Sequence, residues 1–250
     1  MTSVSGSRTA VVTGASGGIG VAVVEALLGC GTKVAAVDLQ TMPLREAFGS
    51  EVAQEQLLLI DCDLSKPQSW QEIVSAALTK FGHIEILVNN AARIVRTGIS
   101  DAVEAEWDDL VDVNLKASFF LSKLCADEMK KGGWGRIINL SSQAGHSGGA
   151  VDCPIYAITK GGLNTMTRSF ARALAGYGIT VNAIAPGIVM TDMIQKTMSP
   201  DRIDAVIDQI PIGRVTDAAE IAAAVMFLSS ENGGSITGHI LDINGGMLMR

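Results

Sequence analysis

The sequence predicts an α/β fold: one doubly wound domain built on a seven-stranded parallel sheet. Three observations predict it. Seven short apolar runs alternate with helical patterns along the chain. The runs are apolar at nearly every residue, as strands covered on both faces must be. No linker, repeat or low-complexity stretch breaks the alternation, so the 250 residues read as a single domain with a substantial core.

The elements follow in order. Ala10–Thr13 is a β-branched apolar run that meets a glycine cluster, Gly14–Gly20. A helical pattern then runs over Ile19–Leu28 through Val23, Ala26 and Leu27. Val34–Asp38 and Leu57–Cys62 are the second and third strands. Ser65-Lys66-Pro67-Gln68 has the form of a capped helix start with an early proline, which sets a helix over Pro67–Phe81. Ile84–Asn89 is the fourth strand, Trp107–Lys131 a long helix and Arg136–Ser141 the fifth strand. A second long helix is expected over Tyr156–Tyr177, then a strand over Thr180–Ile184. The segment 188–212 reads as a loop over the ligand site. Ala218–Leu228 and Ile240–Ile243 supply the last helix and strand.

Ligands of such a sheet bind beyond the carboxyl ends of its strands. Gly14–Gly20, Asp38, Asp63, Asn89–Ala92, Ser141–Ser142 and Pro186–Thr191 all fall there. The bulk properties exclude other classes. A net charge of −7 and a pI near 5.0 argue against nucleic acid and anionic membranes as partners. No apolar run approaches the length of a membrane span. Met1–Arg8 lacks the apolar stretch of a secretory signal. Cys30, Cys62, Cys125 and Cys153 are scattered, as reduced thiols of a cytoplasmic protein would be. His83, His146 and His239 are too dispersed for a metal site, and no metal is expected.

The glycine cluster has the spacing TGxxxGxG between a strand and a helix. Gly14 can make the turn, Gly18 leaves room for amides to approach a pyrophosphate, and Gly20 lets the helix pack on the strand. The helix start adds partial positive charge for phosphates. Asp38 ends the second strand eighteen residues past Gly20, near the distance expected of an acid that binds ribose hydroxyls. It would repel a 2′-phosphate. Neither Gly17 nor Leu39 supplies a cation to offset that, so NAD is expected over NADP.

Tyr156 and Lys160 stand at i and i+4, on one helix face. The ammonium is expected to pull the phenol pKa down from about 10 toward working pH. That makes a general acid/base for an alcohol or carbonyl oxygen. Ser142 lies fourteen residues upstream of the tyrosine.

Together these motifs resemble the short-chain dehydrogenases/reductases, a family of Rossmann-type enzymes, from about Arg8 to Gly246. The carrying motifs are Thr13–Gly20, Asp61-Cys62-Asp63-Leu64, Asn89-Asn90-Ala91-Ala92, Asn114, Leu140-Ser141-Ser142, Tyr156 with Lys160, and Asn182–Gly187. The resemblance implies a catalytic set of Asn114, Ser142, Tyr156 and Lys160. Tyr156 would carry the proton, Lys160 would lower its pKa and grip the nicotinamide ribose, and Ser142 would bond the substrate oxygen. Asn114 would hold a relay water. It also implies a cofactor set of Gly14, Ser16, Gly18, Ile19, Asp38, Leu39, Asp63, Leu64, Asn90, Tyr156, Lys160, Pro186, Gly187, Ile188 and Thr191. Asp63 would meet the adenine and Asn90 the adenosine side. Ile188 and Thr191 would lie along the carboxamide. The chain departs from the family at Ala92, where a glycine is usual, and at Asn244, where many members have aspartate. Its serine–tyrosine spacing is also one residue longer.

The activity implied is NAD-dependent interconversion of a secondary alcohol and a ketone. Gln143, Met190 and Met193 are expected beside Ser142 and Tyr156 on the substrate side. Methionines fill irregular apolar space, so an apolar or aromatic small molecule is favoured. Arg93 and Arg96 offer a contact for a carboxylate. Two alternatives stand. One is a 3-oxoacyl-thioester reductase, which the Asp38 preference for NAD counts against. The other is a non-catalytic NAD-binding sensor or scaffold, which has no need of the complete Asn-Ser-Tyr-Lys set. The two long helices carry more apolar positions than one face requires, among them Phe120, Leu121, Leu124, Met166 and Phe170. With the resemblance, that implies a homotetramer.

Overall fold

The computed structural model describes residues 8–191, 194 and 198–250. Its order begins β1 (Thr9–Thr13), α1 (Gly18–Gly29), β2 (Lys33–Asp38), the short helices α2 (Met42–Ala47) and α3 (Gly49–Ala53), β3 (Leu57–Asp61), α4 (Pro67–Phe81) and β4 (Ile86–Asn89). It continues with α5 (Glu104–Val111), a π-helical turn (Asp112–Lys116), α6 (Ala117–Gly132), β5 (Gly135–Leu140), α7 (Ala144–Ser147) and α8 (Pro154–Leu174). β6 (Ile179–Pro186), α9 (Pro200–Ile207), α10 (Ala218–Ser229) and β7 (Ile240–Ile243) complete it.

The seven strands form one sheet in the order β3-β2-β1-β4-β5-β6-β7, every pair parallel. The order reverses between β1 and β4, the switch point at which such sheets bind ligands. Neighbouring residues on a strand face opposite ways, and both faces are buried. Val12, Val34 and Ile138 pack with Val23, Leu27, Ile221 and Val225 of α1 and α10. Val11, Val37 and Leu87 pack on the other side with Ile73, Leu121 and Leu174 of α4, α6 and α8. Each such apolar side chain contributes about 1.5–3 kcal/mol on burial.

Several elements differ from the expectation. α4 starts at Pro67 but has no side-chain cap. Asp63 instead accepts from the Ser65 amide at 3.0 Å, and the Ser69 hydroxyl donates to the Asp63 carbonyl at 2.7 Å. The N-cap position falls on Lys66, whose side chain has no acceptor, and Ser65 belongs to the turn before the helix. The long helix expected from Trp107 is α5 and α6 joined through the π turn, whose centre is Asn114. α8 starts earlier than expected because Pro154 suits a first turn, where its missing N–H costs nothing. Segment 188–212 is not all loop, since it contains α9. α10 opens with a capping box, Asp217 and Glu220, spaced as such boxes are. Among the described residues, no helix is long and apolar enough to cross a membrane.

Candidate active site

β1 ends where the chain must turn sharply into α1. Gly14 has φ +63, and a Cβ there would lie 2.7 Å from the Ala91 Cα. A Cβ on Gly20 would lie 2.1 Å from the Gly14 carbonyl, so α1 can approach the turn only with glycine at that position. The start of α1 has no side-chain cap. Its first amides therefore face the cleft as donors for an anion. Asn90 braces the turn from β4, donating Nδ2 to the Thr13 and Gly14 carbonyls at 3.1 and 2.8 Å. Its amide side chain is thus occupied in shaping the turn. Asp38 accepts from the Ser16 amide at 2.9 Å and the Leu39 amide at 2.7 Å, which fixes the carboxylate at the cleft edge.

The cleft runs along the carboxyl ends of the strands and has a volume of about 860 Å³. That lies at the upper end of small-molecule sites. Gly14, Ser16, Gly18, Ile19, Asp38 and Leu39 line one end. Asp63, Leu64, Asn90, Pro186, Gly187 and Thr191 line its sides, and Ser142, Tyr156 and Lys160 the other end. An uncapped helix start, a fixed carboxylate and a long cleft suit a dinucleotide.

At the chemical end, Ser142 accepts from the Ala144 amide at 3.1 Å, which leaves its own proton free to donate. It also stands close enough to Tyr156 to draw the phenol pKa down. Lys160 is buried and donates Nζ to the Leu140 carbonyl at 2.6 Å, 5.6 Å from the Tyr156 ring centre. The expected lowering of the phenol pKa is not what this geometry produces. Burial pushes Tyr156 up to about 12, although the nearby Ser142 hydroxyl pulls the other way. Burial also pushes the Lys160 amine down to about 7. Both charged forms lose hydration, and at this separation that loss outweighs their attraction.

Other expected residues stand off the cleft. Asn114 is fully buried behind it, accepting from the Arg93 amide at 2.7 Å and donating to the Arg93 carbonyl at 2.9 Å and to Thr159 at 3.2 Å. Ile188 is not on the wall. Its carbonyl accepts from the Thr216 amide at 3.0 Å, and Val189 takes the lining position. Gln143 is also off the wall, its amide bonded to the Pro186 carbonyl at 2.9 Å. Met190 points to solvent, 39% exposed. Met193 lies outside the described residues. Arg93 pairs with Asp109.

Three residues support the site from behind, and of these only Asn164 lies outside the sequence motifs. Thr13 accepts from the Asn90 and Ala91 amides at 3.1 Å each, which ties β1 to β4. Asn164 accepts from Ser141 at 2.6 Å and donates to the Gly145 carbonyl at 3.3 Å. Ser141 also donates to the Lys160 carbonyl at 3.2 Å, so the serine beside Ser142 faces inward. Asn164 stands one turn beyond Lys160, so the same i, i+4 spacing could have revealed it.

The fold and the site define a class, the nicotinamide-dinucleotide-dependent oxidoreductases. A family model described as "Enoyl-(Acyl carrier protein) reductase" matches residues 14–248. The chain belongs to the short-chain dehydrogenase/reductase family. It is 38% identical over 242 residues to the 3-oxoacyl-[acyl-carrier-protein] reductase FabG of Vibrio cholerae serotype O1, over 97% of this chain and 98% of that protein. It is 35% identical to the reductase of the same name from Staphylococcus epidermidis, over 97% and 100%. The crystal structure of short-chain dehydrogenase/reductase SDR:Glucose/ribitol dehydrogenase from Brucella melitensis matches with a TM-score of 0.89 and 31% identity, over 97% of both chains.

The lysine carries a pH signature. Its pKa is 10.5 in an ordinary setting and about 7 in the fold. Below about pH 7 the amine is charged in both states, and the cost of burying it is fully present. Between about pH 7 and 10.5 the unfolded chain binds the proton that the fold sheds, so stability rises with pH. Lys160→Met removes this term and leaves a constant loss at the Leu140 carbonyl. The melting temperature of the parent relative to Lys160→Met should therefore climb from about pH 6.5 to about pH 10. A difference that does not change over that range would show that the buried amine keeps its ordinary pKa.

Proposed function

We propose that the protein is an NADH-dependent reductase of the 3-oxo group of an acyl thioester. The observation that carries this reading is the near-full-length identity with 3-oxoacyl-[acyl-carrier-protein] reductases. It reverses the order set by the sequence, where a simple alcohol–ketone pair stood first. The site supports a carbonyl substrate, since two hydroxyls, Ser142 and Tyr156, converge at one end of the cleft. Val113, Leu140, Val189 and Ile194 give that cleft apolar walls for an acyl chain. The domain is one NAD-binding unit over 1–250, with 188–212 as its substrate segment.

When bound, NADH supplies the hydride that goes to the carbonyl carbon. Uncapped amides of α1 would hold its pyrophosphate, and Asp38 would take its ribose hydroxyls. Ser142 donates to the carbonyl oxygen and stabilises the charge that grows there. Tyr156 passes its phenolic proton to the same oxygen, so one hydride and one proton complete the alcohol. Lys160, close to the phenol, offsets the tyrosinate that remains until a proton returns. A phenol pushed up to about 12 rests in the proton-donating form, which suits reduction.

Acetoacetyl-CoA with NADH should give a higher kcat/KM than crotonyl-CoA or a panel of plain ketones, read at the nicotinamide absorbance. Tyr156→Phe should keep NADH binding and lose activity by about a hundredfold or more, the scale of general acid catalysis. Faster turnover of plain ketones would restore the alcohol–ketone reading. Near-parent activity of the phenylalanine variant would remove Tyr156 from the chemistry.

Asp38 should make NADH work better than NADPH, because a carboxylate next to a 2′-phosphate pays an uncompensated repulsion. Asp38→Ser should narrow the ratio of kcat/KM values for the two cofactors. Equal values in the parent would defeat the carboxylate argument.

The long helices carry the proposed assembly face. Phe119 and Phe120 of α6 are 42% and 38% exposed, and Ile158 of α8 is 52% exposed. Phe119 meets Phe170 edge-on with ring centres 5.1 Å apart, which continues the patch onto α8. Leu121 and Met166, by contrast, are buried within the subunit. Light scattering should give about four times the 26.1 kDa chain mass. A mass near one chain would refute the tetramer.

A further inference from the structure

Asp152 lies just ahead of α8, four residues before Tyr156. Its carboxylate is held by two arginines from two other segments. Arg202, on α9, donates Nη1 to Oδ2 at 2.7 Å and Nη2 to Oδ1 at 3.0 Å. That is the paired geometry in which guanidinium and carboxylate bind most strongly. Arg96, in the connection after β4, donates Nη1 to both oxygens at 3.3 Å. The Arg202 bond first, and then the positive charge of Arg96, hold the Asp152 carboxyl below its ordinary range.

The three segments joined here are the three that flank the cleft. The connection after β4 lines it with Asn90, Ala91, Ala92 and Arg93. α8 lines it with Tyr156 and Lys160. The segment that carries α9 leaves the wall at Val189, Thr191 and Ile194 and returns where Ile210 and Ile212 crowd Gly245.

α9 has little else to hold it. None of its residues is fully buried, and its apolar positions Ile203, Val206 and Ile207 are half-exposed. Among the described residues, the Arg202–Asp152 pair is the only side-chain hydrogen bond from α9 to another segment. Partly exposed ion pairs are weak and screened by salt. Such a pair can therefore hold a helix and still release it on every turnover.

We propose that Asp152, with Arg202 and Arg96, is an electrostatic clasp that fastens α9 to the two other segments flanking the cleft and sets substrate affinity. Asp152 is a positioning residue. It acts on the substrate through α9, and the inference rests on the thioester reading only for the choice of assay substrate. A clasped helix makes closure less costly, so loss of the clasp raises KM. Release of product becomes no slower, so kcat is unchanged or higher.

The test uses Asp152→Asn, Arg202→Gln and Arg96→Gln in the full chain. With acetoacetyl-CoA, KM should rise about fivefold in the first two and less in the third, the scale of a partly exposed bidentate pair. NADH binding, followed by fluorescence, should stay within about twofold, and Asp152→Glu should recover part of the loss. A second measurement needs no substrate. Trypsin should cut within 188–214 several-fold faster in Asp152→Asn than in the parent at low salt. High salt should bring the parent to the rate of the variant. An unchanged KM together with unchanged, salt-independent cleavage would overturn the clasp. So would a fall in kcat at constant KM, which would place Asp152 with Tyr156 instead of α9. If acetoacetyl-CoA is not turned over at all, the thioester reading fails and the cleavage rates still decide the clasp.

Discussion

A primary amine without solvent must have a partner, and Lys160 has the carbonyl of Leu140 at 2.6 Å. Much of the site follows from meeting that demand. Leu140 is the last residue of β5, opposite Ile184 of β6. The chain leaves the sheet there, which frees a carbonyl to accept from a side chain. α8 must then lie against the end of the strand. Ser141 secures it by donating to Asn164 and to the Lys160 carbonyl. α7 comes so close that a Cβ on Gly145 would lie 2.7 Å from the Lys160 carbonyl carbon. One turn before the lysine, Tyr156 is thereby set beside Ser142. The distance between the two hydroxyls is inherited from the seating of one ammonium.

The same burial decides the electrostatics. A Tyr–Lys pair on a wet surface would barely shift, and a pair in close contact would favour tyrosinate with ammonium. Here both groups are dry and the amine is directed at a backbone carbonyl. The phenol is pushed up and the amine down, so the neutral forms gain. The carbonyl contact works against this for the lysine, because a hydrogen bond to the ammonium favours the charged form. The pair is poised by opposing effects, so a charge brought into the cleft has strong leverage on it.

Much of the fold was legible because its signals are local and repeated. Seven apolar runs and the five longer helical stretches could be placed to within a few residues, since two-sided burial leaves a plain pattern in the sequence, whereas the short helices α2, α3 and α7 could not. The glycine turn was legible for a different reason: no other residue satisfies both the φ of Gly14 and the approach at Gly20. Less legible were features set by partners distant in sequence. Asn90 has its amide turned to the Thr13 and Gly14 carbonyls, some 76 residues away, and nothing beside it announces that. Ile188 and Val189 are adjacent, and only the pairing of Ile188 with Thr216 decides which one faces the cleft. α9 was missed because its few apolar positions bury nothing fully.

Asn114 shows how a sequence-legible residue can sit in a geometry that is not legible. Its side chain spans the connection after β4, with one end accepting from Arg93 and the other donating back to the same residue. A regular helix from Glu104 to Gly132 has a fixed register, and the π turn adds slack at that one place. The Ala117 amide reaches back to the Asp112 carbonyl, five residues away. The Asn114 carbonyl then accepts only a long bond, 3.3 Å, from the Ser118 hydroxyl among the side chains around it. The widened turn thus stands where one residue holds the connection behind the cleft through its side chain. That arrangement ties the shape of the cleft to a helix defect, and π turns of this kind are frequent at functional sites. Substituting the asparagine would disturb the loop carrying Arg93 and Arg96 before it disturbed any chemistry.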